Sequence, residues 1–393
     1  MVFVIDARWK TNAAELIKRE FELTTAEKDL LVAFLDGQTT QDMATARQRS
    51  HSTVRTQFHS LMGKMGAQSQ TEMLRNALSV SQFVEQVGEI AEVVRHPHRK
   101  RVDIVRPGGR SVEITMAGDL TGAPIIFLQG PLIYTFSGAV EQAFYDSGHC
   151  VLSICRPGYG DTDPPLEGED YLDTFASDLD ALLDQLGHDS CMLLSSGTSS
   201  TFMFSASPYY SKRITGLIQM DAAVPRPYFN DLRTSSPWAQ GALNAAEKHR
   251  VLQEFMIKSG IRTWKAIGQE RFLRAQFGNA TAGELALVTE PETLKEAQKA
   301  MDTAMKQGLD YLVKDTFRAF SDYKAEVAAT DLPILVIHSE NNSLFPITAI
   351  RNFAGEFSAR TTLVELSEGG FLSINKHAEA IMQHIARFQL NNA

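Results

Sequence analysis

Apolar positions recur at helical spacing near the amino terminus and at strand spacing beyond residue 100. Leu30, Leu31, Phe34 and Leu35 form one stripe, with Thr24 or Thr25 placed to cap a helix, Glu27 in its first turn and Gly37 to stop it. A second short helix follows Thr39 or Thr40, with Met43 and Ala44 inward. Ser50 can cap a third, whose apolar face of Val54, Phe58, Leu61 and Met62 opposes a polar one of Ser52, Thr53, Arg55, Thr56, Gln57 and His59. A fourth helix from about Ser69 carries Met73, Ala77, Val80, Val84, Val87, Ala91 and Val94 at alternating steps of four and three. That spacing predicts a heptad seam for dimerisation, or a helix packed on its own second domain. Pro97 ends it, and RHPHRKR reads as a solvated linker.

From Arg99 short apolar strands alternate with amphipathic helices. RVDIVRP and SVEITMAG predict a leading antiparallel pair; PIIFLQG, CVLSICRPGYG, CMLLSSG, ITGLIQMD, PILVIHSE and TTLVELSEG predict the strands that follow. Helices are expected between them, including STFMFSASPYYSKR, which gives a mostly parallel, doubly wound sheet covered on both faces. The rhythm breaks from about residue 226 to 330, a stretch rich in helix formers that carries Trp238 and Trp264 and predicts an inserted helical cap. The expected organisation is an arm over 1–20, an all-α helix-turn-helix domain with an extended fourth helix over 21–94, a linker over 95–101, and an α/β domain over 102–393.

Charge sharpens the division. The chain of 393 residues carries a net charge of −9, yet Arg47, Arg49, Arg55 and Lys64 face only Asp42 between Thr39 and Gly66. An acidic body with a small basic module fits a head that binds DNA. Cys150, Cys155 and Cys191 lie in apolar runs without metal-ligand spacing, so buried thiols, no metal and no cofactor are expected. MVFVIDARWK is charged within six residues and no apolar run approaches the ~18 needed to span a bilayer, which predicts a cytoplasmic protein without a membrane partner.

The run LTTAEKDLLVAFLDGQTTQDMATARQRSHSTVRTQFHSLMGKMG resembles the DNA-binding domain of LuxR-type regulators. Leu23, Thr24, Glu27, Leu31 and Gly37 match the family's opening; Ser50, Thr53, Val54, Arg55, Lys64 and Gly66 match its recognition helix and exit, while Gln57 departs from a common histidine. The resemblance implies a homodimer on a near-palindromic site in double-stranded DNA. Arg49, Arg55 and Lys64 would neutralise phosphates, and Ser52, Thr53, Thr56 and Gln57 would face the major groove. The plainer alternative is a helical bundle with a solvated polar face.

The strand–helix layout of the larger domain resembles the α/β-hydrolase fold, with CRPGYGDTDPP as the turn after its fourth strand and LLSSGTSSTFMF as its nucleophile elbow. In that register Gly197 takes the place of the serine, Asn342 that of the acid and Phe371 that of the histidine. Pro131, which has no N–H, falls where an oxyanion-hole amide is expected; the Thr198 amide would remain. The expectation is therefore a chain that is not an enzyme and has no catalytic residue. Its pocket, lined by Gln129, Pro131, Leu132, Gly197, Thr198, Trp238, Asn342, Phe345 and Phe371, would sense a small, mostly apolar organic signal such as an ester, lactone or acyl compound. Two alternatives stand beside it. One is a DNA-binding hydrolase with displaced groups drawn from Ser196, Ser199, Ser200, His377 and Asp221; the other is a body that serves only for dimerisation.

Overall fold

The computed structural model describes residues 17–18, 21–77, 99–105, 109–130, 132–136, 138–229, 250–319 and 321–392. The chain forms two compact units, Met1–Pro97 and His98–Ala393.

In the first unit, helices span Thr25–Leu35, Thr40–Ala46 and His51–Lys64, and a further one begins at residue 70. Each of the first three starts at a hydroxyl that accepts the backbone N–H three residues on: Thr24 from Glu27, Thr39 from Asp42, and Ser50 from Thr53. Glu27 and Asp42 return the bond to their caps, closing two capping boxes. Leu30, Leu31, Met43, Val54, Phe58 and Leu61 meet in one core. Met62, expected inward, is only partly buried, and Met65 takes the inner place. Met73 and Ala77 belong to this same core. The rest of the proposed seam, from Val80 to Val94, lies outside the described residues.

The second unit is built on eight strands: β1 (Lys100–Val105), β2 (Ser111–Gly118), β3 (Ala123–Leu128), β4 (His149–Ile154), β5 (Cys191–Ser196), β6 (Ile214–Met220), β7 (Ile334–Ser339) and β8 (Thr361–Leu366). Their order is β1-β2-β4-β3-β5-β6-β7-β8, with β1 and β2 antiparallel and all pairs from β4 onward parallel. Helices on both faces bury the central strands completely, which is why CVLSI, CMLLSS and ILVIHS read as continuous rather than alternating runs. β1 begins at Lys100, so the sheet takes the end of the expected linker. The helix after β5 is shorter than expected: it stops at Ser205, a 3-10 turn follows over Ser207–Tyr209, and Pro208 cannot donate the bond that would extend it.

Between β6 and β7 lie the cap helices Arg250–Ile267, Gln269–Gln276, Ala282–Val288, Pro291–Met305, Asp310–Ala319 and Lys324–Ala329. Because β5 to β8 run parallel, the segments that leave their carboxyl ends gather at one edge of the sheet. Such an edge is where open α/β sheets hold their ligands.

Candidate functional site

The elbow is the first part of that edge. β5 ends at Ser196, Gly197 takes φ +59°, and the helix Ser199–Ser205 begins at once. This left-handed conformation costs an ordinary residue about 1–2 kcal/mol and glycine almost nothing. A second constraint was not visible in the sequence. A Cβ built on Gly197 would stand 2.7 Å from Cζ of Phe371, so the ring occupies the space a side chain at residue 197 would need. Phe371 is buried, with Phe277 from the cap at 5.7 Å and Phe345 at 6.0 Å between ring centroids. The elbow thus lies under an aromatic cover rather than on an open floor.

The neighbouring serines are committed to the turn. Ser199 Oγ donates to the Ser196 carbonyl at 2.6 Å and accepts the Ser196 N–H at 3.1 Å. Ser200 Oγ donates to the Gly197 carbonyl at 3.2 Å and lies 3.0 Å from Ser195 Oγ. His377 is half-buried on the last helix (Ser373–Asn391), its Nε2 2.9 Å from the Glu368 carbonyl. The structure therefore does not bring His377 to any of these hydroxyls.

Two buried carboxyl groups flank the elbow. Asp221, just after β6, holds φ +44° and accepts the N–H groups of Ser339 at 3.0 Å and Ser373 at 2.8 Å. Burial pushes its carboxyl up to about 6, against hydrogen bonds from Ser373, Ser339 and Asn342 that favour the charged form. Glu284, on the cap helix Ala282–Val288, accepts the N–H of Phe371 at 2.8 Å and that of Ser343 at 3.3 Å. Burial raises it as well, the two amides oppose that rise, and the nearby Asp221 charge adds to it. Gly370 makes room for this contact, since a Cβ there would meet Cγ of Glu284 at 2.3 Å. His338, inside β7, is driven down to about 4 by burial, its Nε2 lying 2.8 Å from the Phe345 carbonyl, so it stays neutral near pH 7.

The other expected lining residues divide. Asn342 Oδ1 accepts the Leu344 and Phe345 N–H groups at 3.0 and 2.9 Å, so its side chain shapes its own turn. Gln129 Oε1 accepts the Cys155 thiol at 3.4 Å, just past the end of β4, while its buried Nε2 has no partner among the described residues. Leu132 and Phe345 are buried near the same edge, and Thr198 is half-buried at the start of the elbow helix. Pro131 and Trp238 lie outside the described residues. Glu284 was missed, because nothing in GELALV distinguishes it from any helix acid; the Gly369-Gly370 pair was the only sign of a close approach.

In the first unit, Arg49, Ser52, Thr53, Arg55 and Thr56 are exposed and Gln57 is half-buried. Lys64 is exposed too, and it is paired within the head. Its ammonium donates to Glu27 at 2.8 Å and to the Glu22 carbonyl at 3.1 Å. Glu27 also accepts from Ser60 at 3.0 Å and from Thr24. Burial alone would raise this carboxyl, but the bonds from Lys64, Thr24 and Ser60 outweigh it and hold it at about 2.

Comparison with known proteins fits this geometry. A family described as alpha/beta hydrolase fold matches residues 130–377. No family model of the LuxR-type DNA-binding domain matches the amino-terminal residues. Among solved structures, a bromoperoxidase from Bacillus anthracis is 19% identical, covering 74% of this chain and 99% of its own, with a TM-score of 0.51. A thermophilic esterase from Thermogutta terrifontis is 19% identical over 74% and 98%, also at 0.51. An esterase from Exiguobacterium antarcticum is 16% identical over 74% and 99%, at 0.50. At these identities the likeness is one of fold. The expectation that the chain is not an enzyme is nonetheless overturned: the proteins that share its fold are described as esterases and a peroxidase. The residues at 197, 342 and 371 describe three positions; they do not decide activity, and the edge holds two further titratable groups.

Proposed function

The chain belongs to the α/β-hydrolase fold family, and on that premise we propose that it is a DNA-binding regulator whose hydrolase-fold body binds a small, largely apolar molecule beside the Gly197 elbow. The observation that carries the reading is the third helix of the head. Its apolar face is spent on Val54, Phe58 and Leu61, while Ser52, Thr53, Arg55 and Thr56 stand exposed on the other, with Arg49 just before it. A helix with that division suits a major groove, where the charged groups meet phosphates and the short polar ones meet base edges. A homodimer on a near-palindromic duplex is the assembly such a head would form. The aromatic cover of Phe277, Phe345 and Phe371 supports an apolar ligand. Selection of duplexes from a random pool by the full-length chain tests the reading: recovery of one near-palindromic sequence supports it, and no retention above a carrier protein removes it.

A second reading is a DNA-binding hydrolase whose chemistry runs from groups other than residues 197, 342 and 371. One observation favours it. The Asp221 carboxyl, raised to about 6, can exchange a proton near neutral pH. Turnover of aryl esters that vanishes in Asp221→Asn, with the fold intact, would establish it.

A further inference from the structure

Two buried carboxyl groups stand at the site edge without a cation. Glu284 and Asp221 are each 1% exposed. They reach one turn from different elements: Glu284, on its cap helix, takes the Phe371 N–H, and Asp221, after β6, takes that of Ser373. The two amides are two residues apart, which puts them within about 7 Å of each other. Among the described residues neither carboxyl has a lysine, arginine or histidine partner. His338, beside the Ser339 whose amide Asp221 also holds, stays neutral near pH 7. Nor, among the described residues, does a third acid, histidine or cysteine join them to hold a metal ion.

Glu284 is the less used of the two. Its Oε1 takes both the Phe371 and Ser343 amides, while its buried Oε2 has no hydrogen-bond partner among the described residues. The Ser343 hydroxyl is close enough to favour the charged carboxylate, yet it too is buried without such a partner. A carboxylate oxygen taken out of water and given no donor is costly, so a group of this kind is met by water or by a ligand. The surroundings favour a particular ligand. Phe371, whose amide Glu284 holds, packs on Phe277 and on Phe345, and Phe345 lies two residues beyond Ser343. Aromatic rings attract a cation to their faces, and two unpaired carboxyl groups add to that preference and oppose an anion.

We propose that the molecule bound at this edge is an apolar amine in its protonated form, an alkyl- or arylammonium whose N–H groups meet Glu284 Oε2 and whose hydrocarbon part lies against Phe277, Phe345 and Phe371. The Ser343 hydroxyl supplies a second oxygen for the same group. A neutral alcohol of the same skeleton keeps the apolar contact and loses the charge; a carboxylate meets two groups of its own sign. The inference rests on the reading that the body binds a small, largely apolar molecule beside Gly197, and it requires neither DNA binding nor catalysis.

Three probes of one size test it on the full-length chain at pH 7.5: benzylamine, benzyl alcohol and benzoate, with binding measured by ligand-detected NMR titration. Benzylamine should bind about tenfold more tightly than benzyl alcohol, and benzoate more weakly than either. Glu284→Gln keeps an acceptor oxygen for both amides, so it should weaken benzylamine by about tenfold and leave benzyl alcohol unchanged. The unchanged alcohol shows that the variant is folded and its apolar site intact. Benzyl alcohol bound as tightly as benzylamine by the parent protein would overturn the amine while leaving the apolar site in place. Benzylamine preferred equally by Glu284→Gln and by the parent would overturn it as well, since the cation would then be held elsewhere. Binding of none of the three would remove the site beside Gly197 and the inference with it.

Discussion

Phe371 stands over Gly197 with its ring tip 2.7 Å from where a Cβ would be, so these two positions form one packed unit. Gly197→Ser should cost about 2–4 kcal/mol, combining the strain of φ +59° with the overlap. Phe371→Ala alone should also destabilise, by about 3 kcal/mol, as a buried ring is lost. The double variant should be more stable than the sum of the two, since the serine then enters the space the ring leaves. Urea denaturation of all four proteins measures this, and strict additivity would mean the two residues do not share that space.

Asp221 supplies a pH dependence of definite sign. Its folded value of about 6 lies above the ordinary 3.8, so between those values the folded protein binds more protons than the unfolded chain. Its contribution to stability is therefore greatest in acid and is lost as pH rises through about 6. Relative to Asp221→Asn, the parent should lose on the order of 2–3 kcal/mol between pH 4 and pH 7.5. Parallel stability curves for the two proteins across that window would show that the carboxyl ionises at its ordinary value.

These two predictions rest on groups that the sequence revealed unequally. The alternation of strands and helices was legible because buried parallel strands must be apolar on both faces, and CMLLSS or ILVIHS can be little else. Gly197, Asn342 and Phe371 were legible by register along the strands. The contact between the first and last of them, 174 residues apart in number, was not, because periodicity carries no information about what folds over what. Glu284, and the partner that Lys64 takes, escaped the sequence for the same reason. A cap acid with no local pattern turned out to reach the site edge, and an exposed lysine in a familiar basic position turned out to pair with a buried carboxylate. Charged residues read as solvated by default, and only the partner's burial reverses that reading.

The pairing of Lys64 with Glu27 separates folding from binding in the head. Lys64→Ala leaves the buried Glu27 carboxyl with Thr24 and Ser60 only, and should lower the head's thermal midpoint by about 5–10 °C. Because Glu27 is held at about 2, below its ordinary 4.5, the stability it provides is complete above pH 4.5 and lost as pH falls toward 2. The variant should lose less on acidification than the parent, having less to lose. A midpoint unchanged at pH 7 would mean that the pair adds nothing to the folding of the head.

Arg55 supplies the complementary test, since it is exposed on the polar face of the third helix, whereas the Lys64 ammonium is paired with Glu27. If the face meets a duplex, Arg55→Ala should weaken binding on every sequence and reduce the slope of log affinity against log salt by about 1, the loss of one phosphate contact. Lys64→Ala, compared at a temperature where both heads are folded, should leave that slope unchanged. Fluorescence anisotropy with a labelled duplex over a range of salt distinguishes the two. An unchanged slope in Arg55→Ala removes this residue from the interface. A slope reduced equally by Lys64→Ala would mean that Glu27 releases the lysine on binding, and that the ion pair belongs to the free head alone.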